Sequence, residues 1–200
     1  VTTLSLQGES YDSDNTTMPL QMIDHLTIKG DYLIDERVSI NANNNSKILT
    51  LRNLDSVRVS NLKLVQGFSQ DEGGAVQITG SNKVALDDVE IIASRSEKEG
   101  GGLFIKNSLN TTLSNIIIKN SFSGHEGGGL YFENSPIVID GGQIKNSRTE
   151  AYGTYFGGGI FGDNSEISDT VFIKNIVISN NIVVNLNIPS HDGVSGKVKD

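Results

Sequence analysis

The chain has 200 residues, enough for one domain with its own core. Its formal charge of −8 and its lack of clustered Lys or Arg exclude a phosphate-binding surface, so nucleic acid is not expected as a partner. It has no Cys, hence no disulfide or thiolate chemistry, and no apolar run long enough to insert in a membrane.

Residues 1–25 contain the polar run YDSDNTT and are expected to cap, or to begin, the first coil of a repeated structure. The first clear apolar alternation is LTIKG at 26–30, and from Leu49 onward the text repeats. Taking the apolar residue after each glycine cluster as an anchor gives Val76, Leu103, Leu130 and Ile160, with steps of 27, 27 and 30. Counting back 27 from Val76 reaches Leu49 without gaps. The decapeptides EGGGLFIKNS (99–108) and EGGGLYFENS (126–135) share seven letters in place. Within units, Leu49, Leu51, Val57, Val59, Leu62 and Leu64 match Val76, Ile78, Val84, Leu86, Val89 and Ile91, then Leu103, Ile105, Thr111, Leu113, Ile116 and Ile118. The next unit drops one residue beside Pro136 and continues through Leu130, Phe132, Ile137, Ile139 and Ile144. The unit opened by Ile160 is looser, with Ile167, Phe172 and Ile173 expected in its core. IVISNNIVVNLNI (176–188) reads as a sixth, irregular coil or a capping strand, and 189–200 as a polar tail or linker.

Apolar pairs two residues apart mean strands, and these are too short to form a sheet alone. They gain stability only by pairing with their counterparts one unit along. Three short strands and three turns per roughly 27 residues describe an all-β, right-handed parallel β-helix solenoid, with coils over 26–188. Glycines fall at a corner where the backbone bends tightly or passes close to the next coil. Two further columns, Asn53/Gly80/Asn107/Asn134/Asn164 and Gln66/Ala93/Asn120/Asn146/Asn175, are expected at corners. Asn tolerates a left-handed backbone there, and stacked amides are expected to bond along the axis.

The units carry GGAV (73–76), GGGL (100–103), GGGL (127–130) and GGGI (157–160), followed by FIKN (104–107), YFEN (131–134), FGDN (161–164) and FIKN (172–175). This pairing resembles the Gly-Gly-Ala-Ile and Phe-x-x-Asn repeats of chlamydial-type polymorphic outer-membrane proteins. The resemblance covers about residues 20–180. It implies an adhesin-like passenger of an autotransporter, surface-exposed or secreted, with host-cell or matrix proteins or glycans as partners. Any export signal is expected to have been removed or to lie outside these residues, and without a barrel of its own the chain would be a passenger fragment or a relative that has none.

Candidate binding residues come from two features. The residue after each anchor points outward when the anchor points inward, which aligns Thr50, Gln77, Phe104, Tyr131 and Phe161 in one column. Three stacked aromatics there would form a flat apolar strip for a sugar ring or a partner. The stretch 147–156 is four residues longer than its counterpart and adds Tyr152, Tyr155 and Phe156, and insertions at a solenoid corner often carry contacts. A third feature is acidic: Glu72, Glu99 and Glu126 recur every 27 residues directly before the glycines. They read mainly as solvated turn residues, with Ca²⁺ the one cofactor such a column suggests.

Catalysis is not expected. The five arginines lie in no motif like those of pectate-lyase-type enzymes, and Asp87–Asp88 reads as a corner turn. His25, His125 and His191 share no metal-ligand spacing. The expectation is a non-catalytic recognition scaffold. A polysaccharide-active enzyme or carbohydrate-binding module is the alternative, and an assembly component stacking through its ends the second.

Overall fold

The computed structural model describes residues 2–8, 10–14, 16–31, 37–151, 156–167, 170–185 and 191–192. It is a parallel β-solenoid of about 27 residues per coil. Every strand pair formed between coils is parallel, and the one antiparallel pair among the described residues joins Ile182–Asn185 to His191–Asp192. The anchor column holds in register as Leu20, Leu49, Val76, Leu103, Leu130 and Ile160. Leu20 extends it one coil below the first anchor read from the sequence. Three early strands thus pair as a first coil: Thr2–Leu6 on Leu26–Gly30, Ser10–Asp12 on Val38–Asn41, and Leu20–Gln21 on Leu49–Arg52.

The core is a set of vertical columns. Leu51–Ile78–Ile105–Phe132, Val59–Leu86–Leu113–Ile139 and Leu64–Ile91–Ile118–Ile144 stack residue on residue and are buried. Each such side chain contributes roughly 1.5–3 kcal/mol gross on burial, and each needs the coil above and below to be covered. Above Phe132 the column reaches Gly162, where a Cβ would lie 2.0 Å from the ring, so the glycine makes room for the larger side chain.

The coils opened by Leu49 and Val76 have four strands rather than three, and from Leu103 onward the second and third run on as one, in Thr111–Lys119, Ile137–Lys145 and Phe172–Ser179. The fourth is two residues long in the middle coils: Phe68–Ser69, Arg95–Ser96 and Phe122–Ser123, continued by Arg148–Ala151 and Ile182–Asn185. Its inward residues are Ser69, Ser96, Ser123 and Thr149, all buried. Small polar residues there give no apolar pair, so the strand leaves no trace in the hydrophobic period.

The corners are set by left-handed backbone. Asn53, Gly80, Asn107 and Asn134 have φ of 55°, 60°, 50° and 44°. Gln66, Ala93, Asn120 and Asn146 have φ of 52°, 51°, 56° and 54°. The last member of that second column is Asn180, because Lys145 pairs with Ser179. Asn175 instead follows Asn61, Asp88, Asn115 and Gly141 in a third left-handed column, where two strands bend into each other. The FIKN at 172–175 therefore lies on a different face from the other three such tetrads. Phe172 and Ile173, expected in the core, are 58% and 43% exposed. Ile173 sits in register above Ile139, but among the described residues no strand pairs beyond Phe172–Ser179 to cover it.

At these corners the axial ladder is carried by serine, one residue after the left-handed position, in place of the expected Asn amides. Ser81 N donates to Ser108 Oγ (3.2 Å), Ser108 N to Ser135 Oγ (3.0 Å) and Ser135 N to Asn164 Oδ1 (2.8 Å). A second ladder runs from Ser121 N to Ser147 Oγ (3.4 Å) and from Ser147 N to Asn181 Oδ1 (2.9 Å). These groups are buried, so each acceptor satisfies a backbone N–H that water does not reach. Asp88 lies at a corner, as expected for a turn, with its carboxylate on Arg37.

Two substitutions test this packing. Ser108→Ala leaves the buried Ser81 N–H without its acceptor and is expected to lower stability by about 1–3 kcal/mol. Thr111 is the opposite case: it stands in the Val57–Val84–Ile137 column with its hydroxyl buried and unpartnered. Thr111→Val is expected to stabilise by about 1 kcal/mol. Denaturant midpoints of both variants, measured against the parent chain, check the two signs.

Candidate functional site

The face built from Leu20–Gln21, Leu49–Arg52, Val76–Thr79, Leu103–Lys106, Leu130–Glu133 and Ile160–Asp163 carries the outward column Gln21, Thr50, Gln77, Phe104, Tyr131 and Phe161. The last three rings stack nearly parallel. Phe104 and Tyr131 have centroids 5.2 Å apart at 5°, and Tyr131 and Phe161 5.4 Å apart at 15°. The expected alignment of these residues holds, and their expected exposure does not: they are only 4%, 7% and 8% exposed, a second small core outside the tube.

The reason is local. Each ring covers the face of the next, and the preceding corner glycine lies against its stem. A Cβ on Gly100, Gly127 or Gly157 would fall 2.8–2.9 Å from the Cβ of Phe104, Tyr131 or Phe161. These glycines have φ of 68°, 63° and 73°, so any other residue would be strained as well as crowded. At the rim the Tyr131 hydroxyl donates to Glu133 Oε2 (2.8 Å), which also receives Lys106 Nζ (2.8 Å). Burial foremost, then the bond to the Glu133 carboxylate, pushes the Tyr131 phenol well above its ordinary range.

Below Phe104 the column changes from rings to Gln77 and Thr50, and the surface opens into a groove of about 460 Å³. Its lining includes Asn45, Lys47, Thr50, Arg52, Phe68, Asp71 and Gln77. Gln77 is buried and wired at both ends. Its Oε1 accepts from Lys47 Nζ (2.7 Å), and its Nε2 donates to Glu72 Oε2 (3.4 Å). Burial lowers the Lys47 pKa, opposed by the fields of Glu72 and Asp71 and reinforced by those of Arg52 and Lys98. Asp71 is held by Lys98 (2.8 Å), and this bond keeps its carboxyl below the usual range. Arg52 is exposed and makes no ion pair among the described residues.

The acidic column stacks in the backbone as expected, with Gly73 N on Glu99 O and Gly100 N on Glu126 O. The side chains turn to separate partners: Glu72 to Gln77, and Glu99 to His125 Nδ1 (3.1 Å). Among the described residues no three carboxylates or imidazoles are placed to hold a metal ion. In the longer corner, Tyr152 and Tyr155 lie outside the described residues. Phe156 is 45% exposed, and its carbonyl takes the axial bond from Gly127 N that Glu126 O takes from Gly100 N.

The groove residues Lys47, Arg52 and Asn45 are not singled out by the repeat. The available signal is the break in the outward column, where Thr50 and Gln77 stand in place of rings. Compared with protein-family models, with curated proteins and with solved structures, the chain gives no match.

A ring sandwiched between two others is structural. Tyr131→Ala is expected to cost about 3–5 kcal/mol, as for a buried aromatic, read as a fall in melting temperature. Because the folded phenol is pushed above its ordinary value of 10.0, its contribution is complete below that pH and is lost progressively as pH rises beyond it. Tyr131→Phe should therefore lose less stability than the parent chain between about pH 9 and 11, measured by thermal melts across that range.

Proposed function

We propose that this chain is a non-catalytic recognition scaffold, working outside the cell or at its surface, which holds a glycan or protein partner against the face that bears the groove. The observation that carries this reading is the groove itself. Stacked, mutually bonded coils hold cationic, amide, hydroxyl and aromatic groups side by side on one concave surface. Such a site is preformed and loses little freedom on binding. The likeness of the GGGL and YFEN units to the repeats of polymorphic outer-membrane adhesins supports the surface location and the adhesive role.

The aromatic column serves this function from the coils above. It stiffens the upper part of the same face and leaves the lower part, where rings give way to Thr50 and Gln77, open to a partner. The test is binding to arrays of immobilised glycans and matrix proteins, with Thr50→Tyr as the groove-filling variant. The expected outcome is capture by the parent chain and its loss in the variant, with the melting temperature preserved. Turnover of pectate, alginate or a glycosaminoglycan would instead make the chain a polysaccharide-active enzyme.

A second reading, assembly through the ends, is favoured by exposed Phe172, Ile173 and Val177 on the last strand paired into the long sheet. It predicts concentration-dependent association in sedimentation velocity that Ile173→Glu abolishes.

A further inference from the structure

We infer that the groove takes a carboxylate-bearing sugar unit, a uronic acid within a glycan, with Lys47 and Arg52 as the carboxylate-binding pair. This rests on the reading of the groove as a recognition site and names its ligand class.

The physical basis is charge. In a chain of net charge −8, two cations line one concave site within range of each other's field, and neither forms an ion pair among the described residues. Lys47 has three N–H donors, and the bond it makes is to the neutral amide oxygen of Gln77. The half-buried ammonium has given up part of its hydration and holds an amide in place of an ion pair, with Glu72 and Asp71 acting on it only through their fields. Of those two anions, Asp71 is held by Lys98, and Glu72 takes the Gln77 amide at 3.4 Å. An incoming carboxylate completes the set, with Arg52 offering the planar fork that matches it.

The remaining groups fit the rest of a sugar. Asn45 and Thr50 supply polar partners for ring hydroxyls, and Phe68 gives the site an apolar wall. The volume of about 460 Å³ suits one or two pyranose units and far exceeds a lone inorganic anion. A divalent cation is disfavoured by Lys47 and Arg52, and a polyphosphate by the flanking Asp71 and Glu72.

Titration of the whole chain with trigalacturonate and with heparosan tetrasaccharide, against neutral cellotetraose and inorganic phosphate, tests this directly. Calorimetry is expected to show binding of the two uronate-containing probes only. Lys47→Met and Arg52→Gln should each weaken that binding about tenfold, the size expected for losing one charge-assisted bond. Asp71→Asn should tighten it, since it removes a repelling carboxylate and releases Lys98. Thr50→Tyr should abolish it. Arg52 is exposed, so its variant remains informative if a groove-filling variant fails to fold.

If cellotetraose binds as well as the uronates and only Thr50→Tyr removes it, the acidic-sugar assignment is overturned and the recognition reading stands. Phosphate binding equal to that of uronate overturns the assignment in the same way. If no oligosaccharide binds and Thr50→Tyr changes no capture on the glycan and matrix-protein arrays, both readings fall.

Discussion

The structure depends on one kind of bond repeated along the axis: a backbone N–H of one coil donating to a carbonyl of the coil above or below. It runs through strands and through corners alike. Gly73 N reaches Glu99 O, Gly100 N reaches Glu126 O, and Gly127 N reaches Phe156 O. Because no coil closes on itself, each strand finds its partners only in its neighbours, and its register is enforced to the residue. A one-residue slip in a strand would turn its buried side chains outward. Departures from 27 therefore fall between paired strands: the step is 31 from Thr27 to Arg58, 24 from Ser39 to Lys63, 30 from Leu130 to Ile160 and 34 from Ile139 to Ile173.

The same constraint explains the composition. Corners bring backbones so close that a Cβ on Gly101 would lie 2.2 Å from Phe122 O and 2.3 Å from Gly128 O. One position later the coil below carries Ala75, so a methyl is accepted there and the glycine requirement is local. Corners also bury N–H groups that have turned away from the strand ladder. Serine is short enough to reach the next coil while its hydroxyl donates to the carbonyl two residues back, as Ser108 does to Lys106 and Ser135 to Glu133. At the upper ends of the ladders the longer amides of Asn164 and Asn181 take over.

On the outer surface, axial stacking makes like meet like. Where the outward column carries rings it closes into a dry stack. Where it carries Thr50 and Gln77 it leaves a groove, into which Lys47, before the strand, and Arg52, at its end, bring cations. One column thus has a half filled by rings and a polar half, in which Gln77 is itself buried and Thr50 and Gln21 meet solvent. The difference lies in side-chain volume, because the backbone register continues unbroken from Leu49–Arg52 to Ile160–Asp163.

The sequence by itself determined the fold class, the anchor column, the core set from Leu49 to Ile144 and the alignment of Phe104, Tyr131 and Phe161. Each of these is a consequence of a period, and a period is a property of one dimension. The period does not reveal the two-residue fourth strand, whose inward serines carry no apolar signal, and it misplaces Asn175 and Phe172, which pairing puts elsewhere. Only the tertiary structure decided exposure and encounter: that the aromatic column is covered, that Glu72 and Glu99 turn to different partners, and that Lys47, thirty residues from Gln77, meets it at the floor of a groove. Those outcomes depend on how side chains of given size fill the space between coils. Volume in three dimensions has no counterpart in a linear repeat.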